Sequence, residues 1–118
     1  MKVLLINGSP CEFGCTHTAL QEIAQQLQKE GVDSYELHIG NKAIAPCTAC
    51  GYCREKGYCI IDTDKVNEAI NLLEEYDGLI VGSPVYYAAP NGTISAFLDR
   101  MFFGKSNKFA NKPGAAIV

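Results

Sequence analysis

The sequence predicts a three-layer α/β fold built on a parallel sheet, and three observations carry that prediction. Short, continuous apolar runs of strand length occur at Val3-Leu4-Leu5-Ile6 and Leu79-Ile80-Val81, the pattern of strands covered on both faces. Helical apolar periods lie between them, and Gly, Pro, Asn and Asp residues close each run. Alternating strands and helices form right-handed βαβ units, and ligands of such sheets sit beyond the carboxyl ends of the strands.

Taken in order, Lys2 to Ile6 is the first strand, and Asn7-Gly8-Ser9-Pro10 breaks it. A helix is expected from about Thr16 to about Lys29, with Leu20, Ile23, Ala24 and Leu27 on one face and Gly31 closing it. Val32 to Ile39 is a second strand with Tyr35, Leu37 and Ile39 on one face. An irregular stretch runs from Gly40 to about Asp62, and loops of that length are usually functional. Asp62-Thr63-Asp64 caps a helix carrying Val66, Ala69, Ile70 and Leu73. Leu79 to Pro84 is the third strand, Val85 to Gly92 an aromatic loop, and Ile94, Phe97, Leu98 and Met101 mark a further helix. Ala115 to Val118 opens a fourth strand. No repeat, low-complexity tract or linker divides the 118 residues, so one domain is expected.

Net charge is −3 and no basic cluster appears, which argues against nucleic-acid or anionic-membrane partners. No apolar run approaches the ~20 residues of a membrane span, and the first residues lack a signal-peptide pattern. A soluble, cytoplasmic protein is expected, where structural disulfides are improbable and the six cysteines need another explanation.

Two stretches carry chemistry. In the first, strand, tight loop and helix aim free backbone N–H groups and the positive end of a helix at one point, which suits a phosphate. Gly8 and Gly14 permit close approach, while Ser9, Thr16 and Thr18 supply hydroxyls. The loop is neither an NTPase loop nor Gly-x-Gly-x-x-Gly. Read blandly, it is a βα turn that holds nothing. Paired with the aromatic loop on the same rim, it describes a site for a phosphorylated planar ring, and FMN is the economical candidate. The second stretch is Cys47-x₂-Cys50-x₂-Cys53-x₅-Cys59. Four thiols in one loop suit an iron–sulfur cluster, a zinc ion, or redox-active thiols beside Arg54 and Lys56. Cys11 and Cys15 read as small loop residues.

Gly8-Ser9-Pro10-x-x-x-Gly14-x-Thr16 after a first strand resembles the FMN-phosphate loop of the flavodoxin-like NAD(P)H-dependent FMN reductase family. Gly82-Ser83-Pro84-Val85-Tyr86-Tyr87 is similar to that family's isoalloxazine-contacting loop, and Phe97-Leu98-Asp99-Arg100 resembles the helix that follows. The resemblance implies a flavodoxin-like three-layer sandwich with a doubly wound parallel sheet. Residues 1–118 would be a single FMN-binding domain, the N-terminal portion of a longer one that continues with a further strand and helix. It also implies that Ser9, Cys15, Thr16 and His17 hold the phosphate, largely through main-chain N–H groups. Pro84, Val85, Tyr86 and Tyr87 would hold the ring, with Asn91 a neighbour. The duller alternatives are ordinary aromatic packing for Tyr86 and Tyr87 and a solvated side chain for His17. No catalytic side chain is implied, because the flavin does the hydride chemistry. Many members have Arg where this chain has Cys11, leaving amides, Ser9 and Thr16 more of the phosphate. The cysteine stretch resembles the iron–sulfur flavoproteins, in which a [4Fe–4S] cluster passes electrons to FMN; its ligands here would be Cys47, Cys50, Cys53 and Cys59.

The expected function is an FMN-dependent oxidoreductase moving electrons from NAD(P)H, as co-substrate, or a protein donor to a flavin, quinone or other small acceptor. By resemblance its partners are that acceptor or a redox protein, and it forms a homodimer or higher homo-oligomer. The rival is a non-enzymatic electron carrier with FMN and a cluster. A third reading, a small α/β domain with a zinc loop and no flavin, predicts a colourless protein.

Overall fold

A computed structural model describes residues 1–104 and 106–118. In chain order the elements are β1 (Lys2–Asn7), α1 (Cys15–Lys29), β2 (Asp33–His38), α2 (Tyr52–Lys56), α3 (Val66–Glu75), β3 (Gly78–Gly82), β4 (Val85–Tyr86), β5 (Ala89–Pro90), α4 (Gly92–Phe103), a 3₁₀ turn (Ser106–Phe109) and β6 (Gly114–Ile117). Four strands form a parallel sheet in the order β2-β1-β3-β6. This is the flavodoxin-like arrangement the sequence predicts: β1 sits inside, and the chain leaves it first to one side and then to the other.

The central place of β1 follows from its composition. Successive side chains of a strand point to opposite faces. Leu4 and Ile6 therefore enter a core with Leu37, Leu79 and the α3 and α4 residues Val66, Ile70, Leu73, Ile94, Phe97 and Met101. Val3 and Leu5 enter the other core, against Leu20 and the half-buried Ala24 and Leu27 of α1. All five residues from Val3 to Asn7 are buried. Gly31 ends α1 in the left-handed conformation, φ 76°. The N-cap position of α3 falls at Lys65, with no side-chain cap, and Asp64 just before it accepts from Val66 N at 3.1 Å through Oδ1. At the other end, Lys112 Nζ donates to the carbonyls of Leu73 (2.7 Å) and Tyr76, setting a cation against the negative end of the helix. Among the described residues, no helix is long and apolar enough to cross a membrane.

Two stretches expected to be irregular carry structure. The cysteine loop contains the single turn α2, bounded by Gly51 (φ 79°) and Gly57 (φ 76°), both left-handed. Five residues are too few for an apolar period to register. The aromatic loop folds into the hairpin β4–β5, whose turn residues Tyr87 (φ 48°) and Ala88 (φ 62°) are non-glycines at positive φ. Such two-residue turns usually carry Asn or Gly, so the sequence signal was missing.

Phe97 is fully buried at the centre of the larger core. Phe97→Ala is expected to lower stability by about 3–5 kcal/mol, read as a shift of the urea unfolding midpoint.

Candidate functional site

The loops after β1 and β3 leave adjacent strands at the point where the strand order switches, with Asn7 paired to Gly82. They are tied directly, Gly8 N donating to Gly82 O at 2.9 Å. A Cβ on Gly8 would lie 2.9 Å from both that oxygen and Ile94, so only glycine permits this approach. Asn91, 2% exposed, then locks the junction. Its Nδ2 donates to Gly8 O at 2.7 Å, its Oδ1 accepts from Ile94 N at 2.8 Å, and its main-chain N–H donates to Ser83 Oγ at 3.2 Å. Asn91, expected beside a ring, thus spends its side chain holding the two loops together and capping α4.

On the first loop, Asn7 is fully buried; its Oδ1 accepts from Ser9 N at 3.1 Å and its Nδ2 donates to Glu12 O at 3.1 Å. Ser9 is buried, and its Oγ accepts from Cys11 N at 3.1 Å. His38 at the end of β2 donates from Nε2 to Ser9 O at 2.8 Å, which fixes its tautomer. Helix α1 opens at Cys15 after Gly14, with no side-chain cap and no acidic residue in its first turn. The first-turn N–H groups of Cys15, Thr16 and His17 are therefore left to an outside acceptor, with the positive end of a fifteen-residue helix behind them. The side chain of His17 turns aside. Its Nδ1 donates to both carboxylate oxygens of Glu36 at 2.9 Å, and its ring edge meets Phe13 at 5.3 Å, so it is neither freely solvated nor aimed at the loop. Glu36 also accepts from Asn7 Nδ2 (2.8 Å) and Gln21 Nε2 (2.6 Å), joining β2, α1 and the loop.

On the second loop, Pro84 is half-buried, whereas Val85, Tyr86 and Tyr87 are 54%, 53% and 104% exposed. Ordinary core packing does not account for these tyrosines. The hairpin stands at the carboxyl edge of the sheet with its aromatic surface open, beside the cradle of amides.

The four cysteines gather elsewhere. Cys47, Cys50, Cys53 and Cys59 line one pocket with Ile60, Ile61, Arg100 and Phe103. It lies against the C-terminal half of α4, which contributes Arg100 and Phe103. All four are free thiols, Cys47 and Cys50 exposed and Cys53 and Cys59 half-buried. Among the described residues, no three His, Cys, Asp or Glu side chains close on one point as a single metal ion requires. Asn67 grips the backbone of Cys59, accepting from its N–H at 2.7 Å and donating to its carbonyl at 2.9 Å. Gly104 touches Cys53 so closely that a Cβ there would sit 2.5 Å from the Cys53 Cβ. The Tyr52 and Tyr58 hydroxyls meet at 3.0 Å across the loop, and this bond pushes the Tyr52 phenol up.

Arg100 is the buried cation of this region, 2% exposed. Burial pulls its guanidinium down, but hydrogen bonds to Asp64 and Cys59 and the charges of both outweigh this, holding it above its ordinary value. Sequence reasoning missed Asn7, Glu36, His38 and Arg100 as site-forming residues. Arg100 left a signal, because it shares the apolar helical face of Phe97 and Met101.

These features define a flavodoxin-like α/β protein with two loops joined at the carboxyl edge of the sheet and a separate thiol pocket. The chain belongs to the NADPH-dependent FMN reductase family, whose profile matches residues 1–118. Iron–sulfur flavoproteins are among the relatives it is similar to. It is 36% identical to an iron–sulfur flavoprotein of Archaeoglobus fulgidus, covering 100% of this chain and 54% of that one. It is 33% identical to one of Methanosarcina thermophila, covering 99% and 62%. The chain thus spans about half the length of such relatives. Its fold resembles the flavoenzyme NAD(P)H:(acceptor) oxidoreductase FerB of Paracoccus denitrificans, with a TM-score of 0.68 at 21% identity over 98% of this chain and 59% of that one. It also resembles RosB, with a TM-score of 0.72 at 13% identity over 98% and 50%.

Asn91→Ala leaves Gly8 O and Ile94 N without their buried partner and is expected to cost about 2–4 kcal/mol. Asn91→Asp, which keeps the cap but loses the donor to Gly8, should fall between it and the parent in urea unfolding.

Proposed function

We propose that the protein is an FMN-dependent oxidoreductase that takes electrons from NAD(P)H or a protein donor and passes them to a flavin, quinone or other small acceptor. The observation that carries this is the meeting of two unlike loops at the strand-order switch: an uncapped helix N-terminus on one side, an exposed tyrosine hairpin on the other. An anion and a flat ring on one ligand match that pair of surfaces. The phosphate falls to Ser9 and the N–H groups of Cys15, Thr16 and His17; the ring falls to Pro84, Val85, Tyr86 and Tyr87. Bound FMN supplies hydride and one-electron chemistry, and the residues around it bind and orient it. Asn91 keeps the two surfaces in register.

We propose further that Cys47, Cys50, Cys53 and Cys59 hold a [4Fe–4S] cluster. Their shared pocket, its apolar walls and the names of the relatives support this. The four-cysteine pocket also keeps the electron-carrier reading in play, and NAD(P)H oxidation separates the two. A reductase turns over with added quinone or flavin, whereas a carrier holds FMN and oxidises NAD(P)H slowly or not at all.

Protein purified without oxygen is expected to show flavin bands on a broad brown absorbance, both bleached by dithionite. Flavin bands without the brown component would overturn the cluster, and no visible absorbance after adding FMN would overturn the flavoprotein. If loop amides hold the phosphate, FMN should bind at least about 100-fold more tightly than riboflavin, given roughly 1.5–3 kcal/mol per charge-assisted hydrogen bond. Equal affinities by fluorescence titration would remove the phosphate cradle. Gly104→Ala, which drives a methyl group into Cys53, is expected to lose most of the bound iron while FMN uptake is retained.

A further inference from the structure

One side chain on α4 closes the cysteine loop. Arg100 has five N–H donors, and each has an acceptor. Nε donates to Cys59 Sγ at 3.2 Å, Nη1 to Ala45 O at 3.2 Å and Asp64 Oδ2 at 2.5 Å, and Nη2 to Ile61 O at 2.7 Å and Asp64 Oδ1 at 3.2 Å. Ala45 and Ile61 bracket the stretch that holds the four cysteines. The guanidinium therefore clasps both ends of the loop and touches one of its sulfurs. Desolvating a cation this fully is expensive unless it is paired and hydrogen-bonded, and bidentate Asp64 supplies the pairing. An apolar residue at this position of the helical face would fill the core at lower cost, so the cation has a use beyond packing.

We propose that Arg100 is a positioning residue for the four-cysteine site, fixing the loop ends and, through its N–H donation to Cys59 Sγ, raising the reduction potential of the iron–sulfur group held there. The proposal rests on the cluster reading above. One-electron reduction adds a negative charge that spreads onto the ligand sulfurs, and a donor aimed at one of them, backed by a positive charge, stabilises the reduced form more than the oxidised one. Asp64 opposes this. Its carboxylate offsets part of the positive charge that faces the sulfur, so the pair sets the potential jointly. Lysine cannot substitute, having three donors on one nitrogen where arginine has five in a planar fork.

The test uses the whole protein purified without oxygen, in three forms: parent, Arg100→Lys and Asp64→Asn. Iron and acid-labile sulfide are measured first. A parent protein with neither overturns the cluster reading itself, and this proposal with it. With the cluster present, the midpoint potential is read by titration with mediator dyes, following the brown absorbance. Arg100→Lys is expected to shift the one-electron equilibrium about tenfold toward the oxidised form, a fall of 59 mV. Asp64→Asn is expected to shift it the other way. General loosening of the loop would move both variants in the same direction, so shifts of one sign overturn the proposal, as does a Lys variant with the parental potential. Should the Lys variant lose its iron or its fold by circular dichroism, Asp64→Asn decides: a higher potential supports the proposal, and an equal or lower one overturns it.

Discussion

The burial of β1 on both faces is the constraint from which the rest follows. A strand with Val3 and Leu5 on one side and Leu4 and Ile6 on the other has to lie inside a sheet with a layer above and a layer below. Once β1 is inside, β2 and β3 take its two edges, and the chain must change direction between them. That change leaves the carboxyl ends of β1 and β3 side by side with their loops diverging to opposite layers. The cradle is therefore not an addition to the fold. It is the gap any such sheet has at this point, and the loop residues make the gap specific.

Two buried polar side chains then turn this generic arrangement into a particular one, and they work in different ways. Asn91 is neutral, and its contacts fasten the loop after β1 to the loop after β3. Because a neutral amide costs little to bury once it is bonded, this fastening adds to stability as well as to geometry. Arg100 is charged, and its contacts fasten α4 to the cysteine loop. A buried ion pair adds little net stability, so its retention on a helix face otherwise apolar is explained by what it holds rather than by how firmly the protein folds.

Much of this was legible in the sequence, and the remainder was hidden for physical reasons. Long, strongly periodic segments announced themselves: β1, α1, α3, β3 and α4 lie where the apolar patterns put them. The two site loops were legible as breaks in that pattern. Elements of two to five residues were not, because α2 and the β4–β5 hairpin are too short to show a period and the hairpin turn uses Tyr87 and Ala88 where Asn or Gly is the usual sign. Nor could spacing along the chain show which polar residues would meet. Glu36 and His38 alternate with apolar Leu37 on a strand, and only the packing of β2 against α1 sets Glu36 against His17 and Gln21. Asn91 read as a neighbour of the ring by resemblance; its side chain is bonded to Gly8 O and Ile94 N, where it positions that loop.

Helix α4 links the two sites. Its N-terminal end is held by Asn91 where the loops after β1 and β3 meet, and two turns along the same rod Arg100 holds the cysteine loop. A helix transmits position well over that length, since its backbone hydrogen bonds resist bending and Ile94 and Phe97 anchor it in the core between the two. A change at either end that shifts α4 along its axis would be felt at the other. Loops joined only through solvent-exposed backbone could not keep such a relation. The buried apolar face of α4, with its two polar ends, thus makes one element serve as core, cap and spacer.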